Sequence, residues 1–187
     1  MSAGRAHERR FRSLLDELER LRLNGRATDS QFAQNPLPLV WAMGRALAVL
    51  HQRTPEPGVK AQTPDEVANV RAALTTGQPH PAPYQRVSGE AIEQTLASVP
   101  SANDRVWTHG APVVESAVIV DSVVTFETAQ CEGFDPPERD LAIVLRSLAE
   151  TFTSEVVRTF MEAYEASGGE LPQPSALDWY GLLAAFR

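Results

Sequence analysis

The chain has 187 residues, 43% hydrophobic, 7% aromatic and 22% charged, with a formal net charge of -7. A length near the domain mode of about 100–150 residues predicts one compact core, excluding long-range disorder and two full domains. No run reaches the ~20 apolar residues of a membrane span, and the Arg-rich start, Met1 to Arg12, has no apolar run behind it to act as a secretion signal; the expectation is a cytoplasmic protein with no membrane partner. The single cysteine, Cys131, excludes an internal disulfide and a cysteine-built zinc site. An acidic total argues against nucleic acid as partner, and within it Lys60 is the only lysine beside 16 arginines.

In chain order, Gly4 to Asn24 carries Phe11, Leu14, Leu15, Leu18 and Leu21 at helical spacing before Gly25. This predicts an amphipathic helix that packs on the core, covers a partner or pairs with its own copy, and it sets residues 1–35 apart as helix and linker from a domain over 36–187. Pro36 and Pro38 open a buried helix with Leu39, Val40, Met43, Leu47 and Leu50. Arg53 to Thr63 reads as loop. Thr63-Pro64-Asp65-Glu66 then combines a cap, a first-turn proline and a capping-box glutamate ahead of a helix to about Thr75. Three prolines make Gly77 to Val87 an extended connection, after which Ser88 caps a helix from Glu90 to about Ser98.

The pattern then turns to short β-branched runs: Arg105 to His109, Ala117 to Val120 and Val123 to Phe126, with Asp121-Ser122 suited to a hairpin turn. This is the only β region expected. Asp135-Pro136-Pro137-Glu138 opens a helix with Leu141, Val144, Leu145 and Leu148 on one face; another runs from about Ser154 to Ala166, and the last starts at Ser175 with Asp178 in the capping-box place. The expected class is mostly α (α+β), with one small β-hairpin between helices.

Five pieces in one order carry a resemblance: Met43 to His51, ending Leu50-His51; Trp107-Thr108-His109-Gly110-Ala111, then Ser116; Ala117 to Asp121; Val124-Thr125-Phe126-Glu127; and Asp140-Leu141-Ala142. Phe160 to Tyr164 adds a late helix. This series resembles the C-terminal lobe of the aminoglycoside phosphotransferase and choline kinase-like family, a branch of the protein-kinase-like fold. The resemblance covers roughly Pro38 to Phe186 and implies a lobe whose N-terminal companion is absent.

Phosphoryl transfer needs a carboxylate to orient the attacking hydroxyl, an Asn and an Asp to hold magnesium, and a lysine with a glycine-rich loop for the phosphates. By the resemblance, the base position is Ala111, the Asn position Ser116 and the metal Asp position Thr125. Alanine accepts no proton, and neutral Ser and Thr cannot balance two magnesium charges. Lys60 lies in a proline-rich loop, and the 11 glycines include no G-x-G spacing. No cofactor and no metal are therefore expected.

Among the remaining polar groups, His109 is read as a hydrogen-bonded structural histidine, against a polar group in a ligand pocket. Glu127 shares a strand face with Thr125; it is read as a solvated carboxylate, against an acid-base or metal site with Glu115 or Asp121. Asp140 is read as an anchor for loop backbone, and Cys131 has no neighbouring base. The leading function is a catalytically inactive, truncated phosphotransferase-like module, regulatory or a subunit of a larger complex. Its expected partner is a protein or a second copy, docked through the N-terminal helix and an exposed surface near Val118, Val120 and Val124. The alternative is an enzyme of altered chemistry, a lyase or an accessory subunit of a peptide-modifying complex. In it His109 and Glu127 exchange protons and Arg105 or Arg139 holds a phosphate. A phosphotransferase completed by another chain is the weakest reading.

Overall fold

The computed structural model describes residues 16, 25–27, 29–54, 58–121, 123–127 and 133–187. Apart from residue 16, the helix expected over Gly4 to Asn24 lies outside these residues, as does Cys131.

The chain opens on β1 (Gly25–Arg26) and a short α1 (Ser30–Ala33), followed by α2 (Leu37–His51), α3 (Thr63–Thr75) and α4 (Gly89–Ala97). Strand β2 (Val106–Thr108) leads through a single 3-10 turn, Val114–Ser116, into β3 (Ala117–Val120) and β4 (Val123–Phe126); β5 (Gly133–Asp135) precedes α5 (Glu138–Thr151), α6 (Ser154–Ala166) and α7 (Pro174–Ala185). The mostly helical α+β class agrees with the sequence reading, and the hairpin forms where expected. Val120 pairs with Val123, and Asp121 takes the positive φ of 48° that a two-residue hairpin turn asks of its first position.

The β content is larger than one hairpin. Strand β1 adds to β3, with Gly25 opposite Ile119 and Arg26 opposite Val118, giving the order β1-β3-β4. A second sheet joins β2 to β5, Trp107 opposite Phe134. Two- and three-residue strands show no alternation, so their pairing is set by tertiary contact rather than by local pattern.

Two apolar clusters hold the fold. The first is built from α2, α5 and α6 under the three-stranded sheet: Leu39, Met43, Leu47, Leu141, Val144, Leu148 and Phe160 are fully buried and pack with Ile119, Val124, Ala27 and Phe32. Val124 therefore faces this core, correcting its placement on an exposed surface. The second joins α3, α4 and α7 through Val70, Ile92, Leu96, Trp179 and Leu183. Each such aliphatic side chain contributes on the order of 1.5–3 kcal/mol by leaving water.

Helix α2 packs tightly on α6 at Gly44. A Cβ built there would lie 2.5 Å from the Phe160 carbonyl oxygen and 2.8 Å from the Ala163 Cβ. Because both are backbone or near-backbone atoms, Gly44→Ala is expected to force the helices apart and cost about 1–3 kcal/mol, read as a lower urea midpoint. An unchanged midpoint would contradict this packing.

Local capping signals are only partly used as local. Ser88 caps α4 by accepting from the Ala91 N–H at 3.2 Å. The capping box at Thr63 to Glu66 does not form. Instead Asp135, on β5, accepts from the Gln62 and Thr63 N–H groups at 2.8 and 3.2 Å and from the Thr63 hydroxyl at 2.6 Å. Asp135 thus caps α3 across the fold and not its own helix. Helix α7 begins at Pro174, and Glu138 accepts from the Gln173 N–H at 3.3 Å there.

Candidate functional site

The candidate site is the loop after β2, His109-Gly110-Ala111, together with the ends of β3 and β4. Its scaffold is Asp140 in the first turn of α5. This fully buried carboxylate accepts the backbone N–H of His109 at 2.6 Å and of Gly110 at 2.8 Å. Gly110 has φ 90°, a conformation that favours glycine and turns its N–H toward the carboxylate. The third partner of Asp140 is the His51 Nε2, at 3.2 Å; the His51 Nδ1 in turn accepts the Tyr164 hydroxyl at 2.7 Å. Burial works against the Asp140 charge, but the His51 and backbone contacts outweigh it and hold the carboxyl below its ordinary value. Burial raises the Tyr164 phenol, keeping it a neutral donor.

Both nitrogens of His109 are engaged. Nε2 donates to the Glu127 carbonyl at 2.6 Å, and Nδ1 accepts from the Ala111 N–H at 3.3 Å. The ring is therefore the neutral tautomer with its proton on Nε2, it is 3% exposed, and it ties the loop to the end of β4. Ala111 presents a methyl group where the resemblance puts a carboxylate. Ser116 turns back on the same loop, its hydroxyl within reach of the Ala111 and Val113 carbonyls at 3.2 and 2.8 Å. Thr125 is exposed on β4.

Glu127 is exposed on the same side as Thr125, but its carboxylate is held by Arg26 of β1, whose two terminal nitrogens donate to its two oxygens at 3.0 and 2.7 Å. Arg26 was not singled out in the sequence, because a cation in a two-residue strand carries no motif. The structure thus brings His109, Ala111, Ser116 and Glu127 to one place, while the Arg26 pair occupies the only carboxylate of that set. Glu115 and Asp121 lie at opposite ends of β3 and form no common centre with Glu127. Among the described residues, no group of three His, Cys, Asp or Glu is placed to share a metal ion.

Arg139 is not the phosphate contact the sequence suggested. It is 2% exposed and spent on Glu66, with Nε at 3.2 and 3.1 Å from the two carboxylate oxygens and one terminal nitrogen at 2.8 Å from the first, while its other terminal nitrogen donates to Thr108 Oγ1 at 3.3 Å. Burial alone would raise the Glu66 pKa and lower that of Arg139; the pair outweighs it in both directions. Arg105 is exposed beside β2. Arg187, following α7, donates to both Glu66 Oε1 and the Gly110 carbonyl, so the loop is gripped from below as well.

Next to this loop lies an open cleft of about 630 Å³, bounded by Ala111, Val113, Ile143, Arg146, Ala184 and Arg187. No local pattern marks it, since its walls come from the loop after β2, α5 and the end of α7.

This helical lobe has clear counterparts among solved structures. The fold is that of the aminoglycoside phosphotransferases and their kinase-like relatives. An aminoglycoside-3'-phosphotransferase of type VIII superposes with a TM-score of 0.67 at 21% identity, over 82% of this chain and 62% of its own. A Streptomyces rimosus aminoglycoside phosphotransferase solved with ADP and streptomycin gives 0.62 at 17% identity, over 81% and 64%. A choline/ethanolamine kinase family protein from Mesorhizobium loti gives 0.58 at 21%, over 82% and 52%. The chain spans less than two thirds of each of these proteins. No protein-family model and no curated protein matches the sequence.

The magnesium nucleotide that phosphotransferases of this fold use does not fit the residues present. Ser116 and Thr125 are neutral hydroxyls with no charge to offset a divalent ion, and the nearby Glu127 carboxylate is engaged at both of its oxygens by Arg26. No helix among the described residues is long and apolar enough to cross a membrane.

Proposed function

We propose that this phosphotransferase-fold protein does not transfer phosphate but works by binding, as a regulatory module or a subunit of a larger complex. The observation that carries the reading is the loop closed on itself. A methyl group stands at Ala111, Ser116 bonds back to the loop, the three N–H groups of His109, Gly110 and Ala111 are taken by Asp140 and the His109 ring, and the Gly110 carbonyl is taken by Arg187. At the Ala111 position no group stands to accept a proton from an attacking hydroxyl. The same engagement weighs against the altered-chemistry alternative: His109 has neither nitrogen free, and Glu127 faces Arg26 rather than a substrate. A protein or second-copy partner is supported by the hairpin end, where Val120 and Val123 are 58% and 61% exposed side by side.

Thermal unfolding with and without magnesium ATP tests the reading. A kinase site filled at ~100 times its dissociation constant would add about 2.7 kcal/mol. The expected result is no change in Tm. A rise of several degrees that requires magnesium would overturn the non-catalytic assignment.

A further inference from the structure

We propose that the cleft beside the His109–Ala111 loop binds a small molecule through an anionic oxygen group, a carboxylate or a phosphate, with Arg187 and Arg146 as its cationic contacts. The proposal deepens the binding reading, on which it rests, by naming the ligand chemistry.

The argument starts from Glu66, which carries two guanidinium groups. Arg139 alone reaches both of its oxygens and, being 2% exposed, stays where it is. Arg187 is the second, dispensable partner: its side chain is 29% exposed and borders the cleft. If Arg187 turns to a ligand, Glu66 keeps its buried ion pair and no charge is orphaned. The Gly110 carbonyl loses one donor, next in the chain to Ala111 on the cleft wall, where a water can take the place of the guanidinium.

Arg146, about two turns into α5 and partly exposed, is the other cation. It pairs with Glu150 at 2.9 Å, an i,i+4 pair with side chains 38% and 64% exposed. Such exposed pairs are weak, so an anion competes with Glu150 at little cost. Two guanidinium groups, each held by a partner it can leave, border one cleft of about 630 Å³, inside the range of small-molecule sites. The rest of the wall is mixed, with Ala111, Val113, Ile143 and Ala184 beside the hydroxyls of Ser147 and Thr151, which suits a ligand with an uncharged body that carries some polar groups. At Ala111 in particular, a methyl group replaces the carboxylate that would repel an anion. Glu115 is also on the rim, so the ligand's anionic end is placed toward the arginines.

The test is a titration of the full chain with sodium phosphate and, separately, sodium acetate, followed by amide NMR shifts at Gly110 and Ala111 and the Nε–H of Arg187, with sodium chloride at matched ionic strength as control. Saturable shifts with at least one anion and not with chloride are expected, weakened at least tenfold in R187Q and clearly weakened in R146Q. Phosphate alone, acetate alone or both saturating identifies the group recognised. Shifts no different from chloride, or saturable shifts unchanged in R146Q and R187Q, overturn the proposal. Should R187Q unfold, R146Q decides by itself, since the Arg146–Glu150 pair lies at the surface. Magnesium-dependent ATP stabilisation with no anion effect in the cleft would overturn both readings, whereas its absence together with no anion effect would overturn this one alone.

Discussion

Replacing Asp140 by alanine is expected to cut stability by about 3–5 kcal/mol, because the change leaves two buried N–H donors and His51 without an acceptor at once. The carboxylate is fully buried and takes hydrogen bonds from His109, Gly110 and His51. Asp140→Asn should lose less, since one oxygen survives while the amide nitrogen is set against a donor. The same group has a pH signature. Its folded pKa lies below the ordinary 3.8, so its stabilisation is present above about pH 4 and is lost as the pH falls through the folded value. Urea midpoints at pH 7 and pH 3 should therefore differ more for the native chain than for Asp140→Asn. Equal differences in the two proteins would show that the carboxylate carries no such linkage.

Glu66→Ala is the second large loss, again about 3–5 kcal/mol, since it strands a guanidinium that is 2% exposed. The cause separates from simple loss of contacts in a double variant. Glu66→Ala with Arg139→Met removes the uncompensated charge and should recover a substantial part of the loss, a coupling visible in a double-mutant cycle of urea midpoints. Strict additivity would mean that the ion pair does not govern the effect. Because Arg187 also reaches Glu66, the single variant should loosen Gly110 as well, seen as faster amide exchange in the loop.

Much of the fold was legible because its signals are local. The Leu39 to Leu50 stripe, the Ser88 cap and the Asp121 turn each depend on neighbours within a few residues, and the series from Leu50-His51 to Asp140-Leu141-Ala142 pointed to a fold that superposition supports. What escaped is what long-range contacts decide. Glu66 reads as a capping-box residue, yet its carboxylate is drawn 73 positions along the chain to Arg139. Gly25–Arg26 has no strand pattern and is a strand only because β3 lies beside it. Of the site, the replaced positions Ala111, Ser116 and Thr125 could be read as residues. The partners that occupy His109 and Glu127, and the cleft walls that α7 supplies, arise only when segments far apart in sequence meet.

The cap that Asp135 provides for α3 sets an order on biosynthesis. The N-terminal donors of a helix need an acceptor, and an isolated helix of 13 residues is marginal in water. As the chain leaves the ribosome, residues 63–75 emerge long before Asp135, with the whole hairpin still to be made. The start of α3 is therefore completed only when β5 pairs with β2 and carries the carboxylate into place. Nascent chains that stop short of residue 135 should expose the segment from Ala61 to Glu66 to protease, and those that pass it by the length of the exit tunnel should protect it.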